Sequence, residues 1–319
     1  MTYTSTPIDP FAIGTFNLLG YSARHLVLRE LGKRPMQRIL STYRFLNQQL
    51  NAALVADIAA AGFNSLEVFC APHHFNYSNP QAVRELGDAL REHKMTLHSL
   101  HSPTERDLSP GRESGVPLSI SDPERIRRLD AVDEIKRTLE VSEKVPCKFL
   151  IQHISQGRQA ADPRKLDAAF TSLENLSMFA KARGVTIALE NTPSELGSPS
   201  VLHKFLVDTH LSDLKLCLDI GHAHIEEGVG PSFETMRDHL VSSHIHDNHG
   251  DKDEHLLPFD GTIEWDHALR AFVETPQIIA MVFEIKGQGA TPPSLEQIRA
   301  ACDKIEEKLS AMQSGSGKH

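Results

Sequence analysis

Residues 244–255 read HIHDNHGDKDEH, four histidines and four acids within twelve positions. Imidazole and carboxylate without thiolate suit Zn²⁺, Mn²⁺, Co²⁺ or Fe²⁺. A polar loop that is merely rich in histidine is the plainer reading. The two differ in their demands on the rest of the chain, because a bound cation needs ligands converging from several elements and a loop needs none.

The same side chains recur at the ends of hydrophobic runs. His101 ends the third such run, His153 the fourth, Glu190 the fifth, Asp219 the sixth with His222 three residues on, His244 the seventh and Glu284 the eighth. Asp253 and His255 follow the seventh. Each alone has a dull explanation, as a satisfied histidine or a helix cap. Delivered together to one rim, they would bury charge without compensation unless a cation were present, so metal binding is the main expectation. Glu190 and Glu284, if they hold one ion from opposite sides, can also accept and donate a proton on either face of a substrate. His246, two positions after His244, points to the same side of its strand and is expected to touch substrate or hydrogen-bond a ligand. Lys286 stands in the same relation to Glu284, to bind an anionic group or neutralise an acidic rim.

These residues need elements to carry them. Eight β-type runs occur, at 11–19, 65–71, 95–102, 148–155, 186–192, 214–221, 241–247 and 280–286. Between them lie helical segments opened by a capping residue and proline: Asn79-Pro80, Asp122-Pro123, Asp162-Pro163 and Ser198-Pro199. After Asp162, the spacing of Leu166, Phe170, Leu173, Leu176 and Phe179 predicts an amphipathic helix, with Gly184 as its stop. Eight strands alternating with helices predict a parallel sheet closed into a (β/α)₈ TIM barrel, with the strand ends as the active face. The chain is expected to be a single domain over 1–319, its core spanning about 11–300 and 313–319 forming a flexible tail. No glycine-rich phosphate turn follows any strand. The irregular stretch 102–122 reads as a lid, and Trp265 and Phe259 as packing for their loop. His73, His74 and Tyr77 could line the pocket or belong to an ordinary loop.

Composition narrows the partners. A net charge of -9 repels phosphate backbones, so nucleic acid is not expected as a partner. The exception is a basic segment, Arg24 to Arg44, read as solvated surface or as a lip for an anionic substrate. Cys70, Cys147, Cys217 and Cys302 form no CxxC pair, so neither a disulfide framework nor a thiolate zinc site is indicated. No apolar run approaches the roughly 18–20 residues that span a bilayer, and the N-terminus lacks a signal-peptide plan; a cytoplasmic enzyme is the expectation.

The segments IALENT, LCLDIGHAH, HIHDN, DKDEHLLPFDGTIEW and FEIKG together resemble the xylose-isomerase-like barrel superfamily, which joins sugar isomerases and epimerases to the endonuclease IV class of abasic-site nucleases. The resemblance implies that Glu190, Asp219, His244 and Glu284 hold a divalent ion, and that Glu190 and Glu284 form the acid/base pair of an isomerase or epimerase. It also implies that His222 touches substrate; His101, His246 and Lys286 join it as candidate substrate contacts. The nuclease branch binds three zinc ions, whose further ligands match His101, His153, His222, Asp253 and His255. Gly221 departs from that branch, which usually has cysteine there, and HDNH at 246–249 departs from its Asn-Asp-Ser-Lys. The expectation is therefore a metal-dependent sugar, sugar-phosphate or keto-sugar isomerase or epimerase working through a metal-stabilised enediolate. It would hold one ion, at most three, with a sugar or polyol as its small-molecule partner and a homo-oligomer left open. A zinc phosphodiesterase acting on abasic DNA is the alternative.

Overall fold

The computed structural model describes residues 37–106, 115–155, 157–275, 279–286 and 292–315. Within them eight strands close a ring: β1 (Ile39–Ser41), β2 (Ser65–Phe69), β3 (Thr96–His101), β4 (Phe149–His153), β5 (Thr186–Glu190), β6 (Lys215–Asp219), β7 (Leu240–Ile245) and β8 (Ala280–Phe283). All eight pairings are parallel, and β1 closes the barrel by pairing with both β2 and β8. The fold is the expected TIM barrel.

Six strands fall inside the predicted runs, β7 starts one residue ahead of its run, and the first strand lies elsewhere. Residues 11–19, predicted as the first strand, lie outside the described residues; Ile39–Ser41 takes that place in the barrel. Three residues between Arg38 and Thr42 are too few to show an alternation, which is why the sequence hides this strand. Part of the supposed solvated basic segment is consequently structural. The Arg38 guanidinium bonds Glu306 Oε1 at 2.9 Å and Oε2 at 2.7 Å and Asp303 Oδ1 at 2.6 Å, tying β1 to the last helix. Arg44 donates to the Pro293 carbonyl at 2.9 Å. Arg24, Arg29, Lys33 and Arg34 lie outside the described residues.

The helices are α1 (Ala52–Ala60), α2 (Pro80–Glu92), α3 (Arg125–Glu140), α4 (Pro163–Lys181), α5 (Pro199–Thr209), the single turn-and-a-half α6 (Ile220–Ile225), α7 (Val229–Met236), α8 (Trp265–Glu274) and α9 (Leu295–Gly315). Asn79, Asp162 and Ser198 cap α2, α4 and α5 as predicted, each accepting a backbone N–H of the first turn. Asp122 does not cap a helix: it accepts from Glu124 N, and α3 starts three residues later than Asp122 with no side-chain cap. In α4 the buried face centres on Ala169, Leu173, Leu176 and Ala180 rather than on the phenylalanines. Small residues take the line of closest approach to the barrel, and Phe179 is left at the edge with Arg183 stacked 3.6 Å above its ring. Gly184 ends the helix with φ +71°, Val185 N bonding Ala180 O and Gly184 N bonding Lys181 O.

Two further expectations change. The 313–319 tail is helical through Gly315, and 316–319 lie outside the described residues. In the 102–122 segment, Glu105–Arg106 pair antiparallel with Val116–Pro117, and Leu118, Ile120 and Ser121 are buried, Ile120 O accepting from Ser172 Oγ at 2.8 Å. That half of the supposed lid is packed against α4; residues 107–114 lie outside the described residues. Among the described residues no helix is long and apolar enough to cross a membrane.

Candidate metal centre

Parallel pairing decides which strand-end side chains meet. His153 sits opposite Glu190, Asp219 opposite His244, and Phe69 opposite His101. Two residues deeper on neighbouring strands, Ile151, Ala188 and Cys217 pack together, so this side of the polar rim rests on an apolar layer.

The rim brings the predicted ligands into three clusters, in each of which the ligand atoms lie within 4.8 Å of one another. Glu190, Asp219, His244 and Glu284 form the central one; His101, His153 and Glu190 the second; His222, His246, Asp253 and His255 the third. Glu190 belongs to two clusters. Its Oε1 lies 3.1 Å from His244 Nδ1, while its Oε2 lies 3.3 Å from His101 Nε2 and 3.1 Å from His153 Nε2. Asp219 links the central and third clusters, 3.7 Å from His244 Nδ1 and 3.0 Å from His246 Nε2. His246, expected to touch substrate or hydrogen-bond a ligand, thus bonds Asp219. Lys286 is exposed, its ammonium 5.5 Å from the Tyr43 ring.

Backbone contacts orient the imidazoles. His101 Nδ1 bonds Ser102 O at 2.9 Å, His222 Nδ1 bonds Asn191 O at 2.8 Å, and His255 Nδ1 bonds Glu284 O at 2.8 Å. A carbonyl only accepts, so each of these rings carries its proton on Nδ1 and turns Nε2 towards a carboxylate. Asn191 does not touch Glu190 in this network; its amide clamps the β5 and β6 ends, donating to Asp219 O at 3.0 Å and accepting from Asp219 N at 2.7 Å. Asp219 also caps α6 by accepting from His222 N at 2.7 Å. His255 itself has φ +49°, a left-handed conformation costing about 1–3 kcal/mol outside glycine, and its place in the third cluster gives that strain a function.

The electrostatics are those of a buried acidic rim matched by imidazoles. Burial alone would raise Glu190, but His244, His153 and His101 hold it well below its ordinary value. Burial opposes ionisation of Glu284 too, and His244 and His255 bring it down to about 2. Burial works against charge on His222 and His244, yet the surrounding carboxylates raise both well above the usual imidazole range. A divalent ion would replace those protons. The residues fit one: Glu190 Oε1, His244 Nδ1 and His153 Nε2 are buried with no aligned hydrogen bond, and the donor set is carboxylate and imidazole throughout.

Three residues at or beside the rim escaped sequence reasoning. Glu67 is wholly buried beneath His244, Nε2 of which lies 3.2 Å from its Oε1. An acid inside the run SLEVF was the available signal, since an unpaired acid is almost never buried. Tyr43, hidden with β1, places its ring 4.8 Å from that of His255; burial and the carboxylates Glu284 and Asp253 push its hydroxyl well up. Asp247 accepts from Asn248 N, Ile263 N, Phe259 N and Trp265 Nε1. It knots the loop that presents Asp253 and His255. By contrast His74 and Tyr77, candidates for the pocket wall, are buried on the Gln48 carbonyl and Glu134.

Gly221 finds its reason here. A Cβ at that position would stand 2.0 Å from the His246 ring, so the ring's placement requires glycine at 221.

The chain belongs to the xylose isomerase-like TIM barrel family, whose sequence model matches residues 55–308. It is 32% identical over 231 residues, 72% of this chain and 84% of the other, to the uncharacterized protein MJ1614 of Methanocaldococcus jannaschii. Among solved structures it is similar to a D-tagatose 3-epimerase-like protein, with TM-score 0.72 and 21% identity over 88% of this chain and 100% of that one. It also resembles an IOLI protein with a binding zinc atom, with TM-score 0.67 and 15% identity over 89% of this chain and 100% of that one. At these identities the structural likeness bears on the fold.

Proposed function

We propose that this protein is a divalent-metal-dependent isomerase or epimerase of a sugar or sugar derivative bearing a hydroxyl next to a carbonyl. One observation carries the reading: two buried glutamates flank a single histidine nitrogen at the barrel mouth, Glu190 Oε1 3.1 Å and Glu284 Oε2 3.3 Å from His244 Nδ1. Glu190, Asp219, His244 and Glu284 would hold Zn²⁺, Mn²⁺, Co²⁺ or Fe²⁺. When bound, the ion supplies positive charge where two adjacent substrate oxygens become negative. Glu190 and Glu284 both remain ionised near neutral pH, so either can take the proton from the carbon between those oxygens while the other, once protonated, returns one. His101, His222 and His246 would reach substrate hydroxyls only by giving up their contacts to Glu190, Asp253 and Asp219, whereas Lys286 stands exposed to receive an anionic group. The similar structures, one of an epimerase-like protein and one with a bound zinc atom, support the same class.

A second reading, hydrolysis of a phosphodiester in abasic DNA, has its own observation. Glu190 belongs to two of the three clusters, one through each side-chain oxygen, so with all three loaded it would bridge two ions and be a weaker base towards a carbon-bound proton. Metal content and two assays separate the readings. Protein holding about one ion per chain should exchange deuterium from solvent into a member of a sugar panel, and Glu190→Gln and Glu284→Gln should each lose about 10²–10⁴-fold of that exchange. Undiminished exchange in both variants refutes the acid/base roles. Cleavage of an abasic duplex by three-metal protein without exchange on any sugar makes it a hydrolase.

A further inference from the structure

Four histidines around the centre use one nitrogen to face carboxylates and the other to meet a fixed partner, but only three of them find that partner in the backbone. His101, His222 and His255 donate from Nδ1 to carbonyls. His244 is turned the other way. Its Nδ1 faces Glu190, Glu284 and Asp219 at 3.1, 3.3 and 3.7 Å, and its Nε2 points down into the barrel. There Glu67 meets it, with Oε1 at 3.2 Å and Oε2 at 3.3 Å.

Glu67 lies too deep to belong to the rim. The mouth position of β2 is taken by Phe69, stacked 4.4 Å from the His101 ring, and Glu67 is two residues further in, wholly buried. Ser99, on the same rung of β3, donates to Glu67 Oε2 at 2.7 Å. A buried carboxylate costs several kcal/mol unless it is matched, and among the described residues no lysine or arginine pairs with this one. A carboxylate can only accept, so the His244 nitrogen facing Glu67 carries a hydrogen, and the proton that an ion would displace is the one on Nδ1.

We propose that Glu67 is a positioning residue for the metal centre: it fixes His244 as the Nε2–H tautomer and so makes Nδ1 the metal-binding atom. It does for His244 what main-chain carbonyls do for the other three, with a full charge that also strengthens the ring as a donor. The inference rests on a divalent ion occupying the Glu190, Asp219, His244, Glu284 cluster.

The test uses full-length protein, Zn²⁺ as the probe and a competing chelator near neutral pH. Glu67→Gln, which keeps shape and loses charge, should weaken zinc binding about 10–100-fold, while Ser99→Ala, which removes only the other hydrogen bond on Glu67, should change it by less than about threefold. Nitrogen-15 spectra of the zinc-loaded wild type should show His244 bound through Nδ1 with its hydrogen on Nε2. Coordination through Nε2 in the wild type overturns the proposal, even should Glu67→Gln fail to fold. Unchanged affinity in a folded Glu67→Gln overturns it too, leaving the metal reading intact. A wild type that binds no zinc at His244 sinks both.

Discussion

Two kinds of buried carboxylate lie at the strand ends of the barrel, and their surroundings differ. Asp247 has each side-chain oxygen filled by two protein donors, at 2.7 to 3.2 Å, and its backbone pairs with Leu256 in both directions at 2.9 Å. Gly261 lies so close that a Cβ would come within 2.3 Å of Asp247 Oδ1. The rim acids Glu190 and Glu284 are met far more sparsely: among the described residues Glu284 Oε1 accepts one long bond from Ser41 Oγ at 3.4 Å, and Glu190 Oε2 meets only imidazole nitrogens. They face imidazoles that are charged only while protonated, and Glu190 Oε1 lacks an aligned hydrogen bond altogether. A carboxylate whose oxygens are each met by two N–H groups is holding the chain; one that faces mainly imidazoles has the surroundings that the proposed cation site needs. Both lie in segments that resemble the family, so sequence similarity alone gives them equal weight.

The comparison can be broken most forcefully at Asp247. Asp247→Ala leaves four donors unmet around Gly261 and Trp265 and should cost about 3–5 kcal/mol in thermal or denaturant unfolding, a loss that added zinc leaves uncorrected. If the variant is as stable as the parent, the division into holding and binding carboxylates is wrong. Gly221→Ala should cost less, about 1–3 kcal/mol, because the new methyl must displace the His246 ring. Its effect should include a loss of metal from the third cluster, read by metal analysis beside unfolding.

The smallest effect is a trend with pH. In metal-free protein, His244 and His222 have raised values, so their contribution to stability is complete below the unfolded value of 6.5 and fades as pH rises through the higher folded one. Glu284 is depressed, so its contribution is present above 4.5 and fades as pH falls through about 2. Metal-free protein should therefore melt highest between about 4.5 and 6.5 and lower in the alkaline range. Zinc, which must displace the imidazole protons, should reverse the slope above that window and release protons on binding. A melting temperature that climbs into alkaline pH without metal would contradict the assignment of these protons.

Much of the centre was legible in the chain. Each of Glu190, Asp219, His244 and Glu284 ends, or directly follows, a run whose apolar strength announces a buried strand, and in a closed parallel barrel strand ends share one face. His101 and His153 were legible for the same reason, while His222, Asp253 and His255, on the segments that follow β6 and β7, were picked out by residue type and by the family resemblance. What stayed hidden was short or inverted in its signal. β1 offers only Ile39 and Leu40 before its polar end, so Tyr43 went unnoticed with it. Glu67 sat inside a strand whose neighbours all promised an ordinary core.

The alternation of apolar runs and capped helices determined by itself that this chain closes as an eight-stranded barrel with acids and imidazoles at one mouth, because burial and backbone pairing leave such a pattern few other solutions. Tertiary structure alone decided which nitrogen of each histidine faces inward, that Glu190 serves two clusters, and that Gly221 gives His246 its room. Those are matters of ångströms between residues up to 177 positions apart, as for Glu67 and His244, and no local spacing encodes them.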